Sequence, residues 1–448
     1  MPPILLNRIA ILPACLMAVA FILSCGGGKH STVTLSGLND RRLVASQSVL
    51  SPTAFPGLVI INGANDTVAR AATIQAGSSP GLMTVSPNRA TLLSFDSGSN
   101  SVDIISTAKE SQTGAIPVSG PTISMVATTA STGYAAVASF PFASGQTPGA
   151  VVAMNLSSGS LIQNIPIPDV QIIVASPTGD QILAFQTPSN NVTGTVTVLS
   201  QLLVNTGNPV TTVLSGFDHP AYAVFSSDGS TAYVMNCGPE CGSASASASV
   251  QVVSMTSATG PVLVGSPVAV DGASIGLLSG STLYVAGTPT ASPSNPTPNN
   301  SCAGETTAAT ICGRVDILDV STAPLAIIGS ATITDGYHDR IDMSVNGQLF
   351  IGSYDCTEVG NVYNPVGEVR GCLSILNTTN GTVVIPPDNG DVTGLQMLTS
   401  RYVEYVAEGG NLRVYDTLTD SLLIDTYVST GTITISGQVI DVKAIDFF

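Results

Sequence analysis

Six of the eight cysteines, those beyond Cys15 and Cys25, lie as three close pairs, Cys237 and Cys241, Cys302 and Cys312, Cys356 and Cys372. Thiols so placed can close disulfides, hold a metal or exchange electrons. An even set in an exported chain reads as a disulfide framework, with the pairing left open by the count alone. The run Cys237-Gly-Pro-Glu-Cys241 has ligand-like spacing. Structural zinc, however, takes four ligands, with sulfur at about 2.3 Å, and no CxxC with a matching partner pair is present, so no metal is expected. Three scattered pairs do not make one redox centre either.

Histidine is nearly as scarce. His30 stands near the amino terminus, leaving His219 in the run Gly216-Phe217-Asp218-His219-Pro220 and His338 in Gly336-Tyr337-His338-Asp339-Arg340. With Asp218, Asp339 and Arg340 beside them, these side chains could build an acid-base pair or a polar binding site. The sequence contains no HExxH, Walker loop or EF-hand spacing, so no catalytic set and no cofactor is expected.

Composition narrows the partners. The chain has 448 residues with 29 acids against 13 bases, a formal charge of −16, and the acids are scattered singly. A nucleic-acid partner would need a basic stripe to neutralise phosphates, and none exists. Docking on anionic lipid by surface charge is excluded on the same ground. Apolar residues make up 44% and charged residues 9%, so the chain folds around a large core rather than staying disordered. With 44 Gly and 28 Pro among many β-branched residues, short strands joined by frequent turns are expected.

The elements that position the cysteines and histidines repeat. From about residue 41 onward the chain divides into modules of roughly 40 to 60 residues, the period of a solenoid or propeller. The clearest copy is AYAVFSSDGSTAYVMN at 221–236, followed by SVQVVSMTSATG and PVLVGSPVAV. It reads as a strand, a Ser-Asp-Gly turn, a second strand, a third and a fourth, which is one blade of an all-β propeller. These segments resemble the YVTN family of β-propeller repeats, whose modules carry a turn like SPDG, a strand like YVAN and a strand like VSVID. GLMTVSPNRATLLSFDSGSNSVDIIS at 81–106 is a second copy, and QLFIGSY at 348–354 and NLRVYDT at 411–417 are shorter ones.

Complete modules start near residues 80, 121, 170, 220, 273, 338 and 391. The segment before them lacks an opening strand, and Gln438 to Ile445 supplies a spare one. Pairing the two closes a ring without open edges and favours eight blades over seven, with modules three and four the weakest copies. Each cysteine pair then falls between the second and third strands of one module, which makes pairing within each loop the simplest solution. Those loops share a face with the blade-to-blade connections, where His219 and His338 are expected, two blades apart and too distant for a shared metal.

Residues 1 to 25 form one positive charge at Arg8, an apolar run to Leu23, then Ser24 and Cys25, the pattern of an export signal. Ile22-Leu23-Ser24-Cys25 resembles the lipobox of bacterial lipoproteins. The resemblance implies cleavage after residue 24, acylation of Cys25 and, with Gly26 following, sorting to the outer membrane. Residues 25–40 are then expected to be a flexible tether and residues 41–448 the propeller. The absence of Trp disfavours the quinone-cofactor dehydrogenases, whose blades carry Trp in a docking motif. The expected function is a lipid-anchored envelope scaffold that binds a protein or glycan partner and touches membrane through its anchor only. The alternative is a lactonase-like hydrolase working at the mouth of the central channel.

Overall fold

The computed structural model describes residues 34–38, 40–48, 56–129, 131–138, 148–186, 194–200, 211–245, 247–290, 312–356, 372–386, 390–424 and 428–447. They form eight antiparallel sheets arranged as the blades of a β-propeller. One short 3-10 turn, Gly238–Cys241, is the helical element among the described residues, and no helix there is long and apolar enough to cross a membrane.

Each blade is built by local rules. In blade 5 the strands Pro220–Phe225, Thr231–Asn236, Ala248–Ser254 and Val262–Val270 follow one another from the channel outward. The first hairpin turns on the Ser-Asp-Gly signal. Ser226 Oγ accepts the Thr231 amide at 3.0 Å, Asp228 Oδ1 accepts the Ser230 amide at 3.0 Å, and Gly229 takes φ +72°. The same serine-to-amide bond recurs from Ser86 to Thr91, Ser176 to Gln181 and Ser344 to Gln348. A short side chain that satisfies a turn amide is what Ser offers, and a left-handed residue closes the turn without a Cβ clash.

Burial follows radius. Second strands such as Thr91–Asp96 are covered on both faces, because neighbouring blades pack against each. Leu92 belongs to the apolar layer shared with blade 1 and Leu93 to the layer shared with blade 3. Fourth strands such as Ser111–Pro117 are mostly open to solvent. The core is therefore eight apolar wedges between blades rather than one central mass, which explains the high apolar content with so few charges. Fully burying each Leu or Ile contributes roughly 2 kcal/mol, so stability is spread around the whole ring.

The ring closes as the repeat count predicted. Gln438–Ala444 pairs antiparallel with Arg42–Ser48 as the innermost strand of blade 1, outside which lie Gly57–Asn62 and Thr67–Ile74. Blades 3 and 4, the weakest copies in sequence, are complete, so the count is eight. Blade 8 has its outer position shared by Ser421–Leu422 and Thr432–Ile433, both paired with Asn411–Asp416. A buried latch joins blades 8 and 1: Arg401 forms two bonds to Asp66, at 2.7 and 2.8 Å, and Tyr405 Oη donates to the same carboxylate. On the amino-terminal side, Ser36 bonds to Glu110, which also holds Arg42 at 2.9 Å, and Leu38 packs against the wedge between blades 1 and 2.

Side chains also stitch the innermost strands to one another. Ser124 Oγ accepts the Ile173 amide at 3.2 Å, Asp342 accepts that of Met397 at 3.0 Å, and Gln396 accepts that of Ala444 at 2.9 Å. In a wide ring the first strands splay apart and cannot pair directly, so polar side chains satisfy their free amides.

Candidate functional site at the channel mouth

Successive hairpins in a blade turn at opposite ends, so the connection between the second and third strands lies on the same face as the link to the next blade. Cys237 follows the second strand of blade 5 directly and Cys312 precedes the third strand, Gly313–Asp319, of blade 6. Cys356 and Cys372 bracket the same connection in blade 7. The local pairing holds for Cys237–Cys241, with Cα atoms 5.7 Å apart, and for Cys356–Cys372, at 5.5 Å. Cys312 is disulfide-bonded, while Cys302 lies outside the described residues, as do Cys25 and the expected export segment. Bonded cysteines in three successive blades are the mark of a protein from an oxidising, extracytoplasmic compartment. Among the described residues no three His, Cys, Asp or Glu side chains are grouped to hold a metal ion.

The polar residues singled out from the sequence separate into three places. Asp218 and His219 sit in the link into blade 5, with His219 Nδ1 2.9 Å from Asp218 Oδ1 and its backbone at φ +55°. Burial pushes the Asp218 carboxyl up, but hydrogen bonds from Ser245, His219 and Ser243 outweigh it and hold the group below the usual range. His219 O accepts the Cys237 amide at 3.0 Å, so this pair braces the first stapled turn.

His338 differs from expectation. It lies inside the innermost strand of blade 7, Tyr337–Met343, rather than in the connection, because that strand begins one residue earlier. Its ring is fully buried against Gly313, Nε2 bonds to Thr334 O at 3.1 Å and Nδ1 has no partner. Burial drives its pKa down to about 4, against a hydrogen bond that acts the other way. The imidazole is neutral and sealed off, a packing residue between blades 6 and 7.

Asp339 and Arg340 do face the channel. A bulge between His338 and Arg340 turns the strand so that both line a cavity of about 300 Å³ along the axis. All eight innermost strands contribute to this lining, mostly with aliphatic side chains. Its charged members are Asp339 with Arg340, 2.8 Å apart in blade 7, and Asp441 with Lys443, 2.8 Å apart in blade 1. Arg340 Nε is also held by Thr393 O at 2.7 Å, so the guanidinium is fixed against blade 8.

Toward the stapled face the channel opens into a second hollow of about 340 Å³, between Ile123, Ile172 and Pro220 on one side and Tyr337, Asp339 and Tyr354 on the other. Cys241 and Gln171 reach its rim. Tyr337 and Tyr354 are register partners across the first hairpin of blade 7, with ring centroids 5.3 Å apart and planes tilted by 46°. Glu240, inside the Cys237–Cys241 turn, acts electrostatically on both tyrosines. Burial raises its carboxyl to about 8, only partly offset by the Thr288 amide, and neither oxygen makes a well-formed hydrogen bond. Asp339 is likewise pushed up, first by burial, with Arg340 opposing and Asp391 adding.

Of the residues singled out from the sequence, Asp339 and Arg340 line the channel, whereas Tyr337, Tyr354, Glu240 and Asp391 were not singled out. A signal for the tyrosines was present, since counting back from the Ser344 turn pairs the start of one strand with the end of the next. No local pattern marks Glu240 or Asp391.

No family model matches the chain, and no curated protein matches it. Similar solved structures include a eukaryotic initiation factor, 13% identical with a TM-score of 0.50 over 91% of this chain and 99% of that one. AztD from Citrobacter koseri is 11% identical, with a TM-score of 0.49 over 90% and 97%. The Pseudomonas aeruginosa periplasmic gluconolactonase PpgL is 13% identical, with a TM-score of 0.47 over 90% and 98%. At these identities the likeness is one of fold.

Proposed function

We propose that this protein is a YVTN-type propeller lipoprotein, anchored to the outer membrane through Cys25, that binds a protein or glycan partner on its stapled face. The supporting observation is convergence. Three successive blades carry disulfide-braced connections on the face where the hollow framed by Tyr337, Asp339 and Tyr354 opens. Disulfides remove freedom from long loops, and a surface already ordered loses less entropy when a partner docks. Against the rival lactonase-like reading stands the placement of both histidines, since His219 and His338 are buried and neither lines the channel cavity or the hollow at its mouth.

Two measurements test the proposal. Cys25→Ser is expected to release the protein from membrane fractions, and unchanged membrane association sinks the anchor. A photo-crosslinker at exposed Ala244, beside the Cys237–Cys241 turn, is expected to trap an envelope component that the same group at Asp228 on the opposite face does not. Equal adducts at both sites, or turnover of a lactone lost with His219→Ala, would overturn the binding reading.

A further inference from the structure

We infer that the hollow at the channel mouth takes a positively charged nitrogen, an alkylammonium group seated between Asp339 and the rings of Tyr337 and Tyr354. The inference rests on the stapled face being the binding face. It starts from an enclosed atom. Asp339 Oδ2 is paired with Arg340 Nη1 at 2.8 Å, but Oδ1 is buried without a partner. A buried carboxylate oxygen left unmade is costly, and a donor entering the hollow would satisfy it.

Charge selects the donor. Asp355 acts on Tyr354 and Asp391 on Asp339, while Arg340 is the opposing cation among the described groups that act on these residues; Glu240, whose carboxyl burial raises to about 8, adds no full charge near neutral pH. Arg340 is already committed, to Thr393 O, Asp339 O and the Asp339 carboxylate. The site is thus left with excess negative charge, inside a chain whose net charge is −16. A low-dielectric cleft lined by one sign of charge concentrates the opposite ion.

The rings and the wall select the rest of the ligand. Tyr337 and Tyr354 both line the hollow, and Tyr354 is 38% exposed. Tyrosine faces attract ammonium groups through the ring quadrupole. Opposite them, Ile123, Ile172 and Pro220 offer an apolar wall for a short carbon chain. The hollow, at about 340 Å³, has room for a small amine or a lysine side chain and not for a large ligand.

The experiment titrates the full chain with n-pentylammonium and with pentan-1-ol, its uncharged counterpart, by calorimetry and by tyrosine fluorescence, which no Trp obscures. Saturable binding of the cation is expected, at least tenfold tighter than the alcohol. Asp339→Asn is expected to weaken it about tenfold, and Gln171→Lys, at an exposed rim position that does not threaten folding, to abolish it. A third titrant, Nα-acetyl-lysine amide, separates the sources: tighter binding than pentylammonium assigns the group to a lysine of a protein partner, weaker binding to a free amine. The inference is overturned if the alcohol binds as well as the cation, if neither binds, or if folded Gln171→Lys binds the cation unchanged. Crosslinking at Ala244 is read separately, so loss of amine binding with adducts intact would sink this inference and leave the binding face standing.

Discussion

Asp441 and Met83 stand 358 residues apart in sequence, yet the carboxylate Oδ2 accepts the Met83 amide at 2.9 Å. This bond joins the innermost strand of blade 1, supplied by the carboxyl-terminal end, to the innermost strand of blade 2. The other oxygen accepts the Val442 amide and Lys443 Nζ, both at 2.8 Å. Asp441→Ala should therefore strand two amides and a half-buried ammonium, costing about 2 to 4 kcal/mol, read as a lowered urea midpoint. Removing residues from Gln438 onward should abolish cooperative folding altogether. A truncated protein that still unfolds in one sharp transition would show that blade 1 does not need its fourth strand.

Gly313 should tolerate no side chain. A Cβ there would lie 2.2 Å from Thr334 O and 2.6 Å from His338 Cε1, in a layer where backbone and a sealed ring cannot give way. Gly313→Ala is expected to lose roughly 2 to 3 kcal/mol by overpacking. Gly381, at φ +76° with open space around it, is the comparison. Gly381→Ala should cost only the left-handed backbone term, about 1 kcal/mol. Equal losses at the two sites in chemical denaturation would refute the steric account.

His338 should make the fold acid-sensitive. Its pKa falls from 6.5 to about 4 on folding, so between those values the unfolded chain takes up a proton that the native state refuses. Its stabilising contribution is complete above pH 6.5 and declines as pH falls toward 4, by roughly 3 kcal/mol in all. In His338→Gln that portion of the stability-against-pH curve should flatten. A variant with the same acid slope as the parent would place the proton uptake elsewhere.

Glu240 should act with the opposite sign. Its carboxyl is raised from 4.5 to about 8, so the native state retains a proton that the unfolded chain releases. Stability is fullest below the unfolded value and declines as pH rises toward 8, by an amount on the order of a few kcal/mol. Glu240→Gln, which keeps the shape without the charge, should be more stable than the parent at pH 8 and equal to it near pH 4. Thermal melts at the two pH values separate these outcomes.

Much of the fold is legible in the amino-acid sequence. Ser226, Asp228 and Gly229 announce their turn because turn chemistry is local: a hydroxyl, a carboxylate and a left-handed residue satisfy amides within five positions. The strand of Gln438–Ala444 was legible by subtraction, since the first module lacked one strand and the last segment had one too many. The placement of His338 was not. Whether a residue at the start of a strand belongs to the link or to the sheet is decided by pairing with Ser353, which is a contact rather than a pattern.

By itself the amino-acid sequence determined the module and the face on which the cysteine loops rise, and favoured eight modules over seven, since strand alternation and turn residues act over a few neighbours. Only the tertiary structure decided which side chains share the mouth. Glu240 comes from blade 5, Tyr337, Asp339 and Tyr354 from blade 7 and Asp391 from the link into blade 8, and they interact because closing the ring brings these segments to one end of the channel. The raised carboxyls of Glu240 and Asp339 and their unpartnered oxygens depend on burial between blades, a property of the closed ring that no segment carries alone.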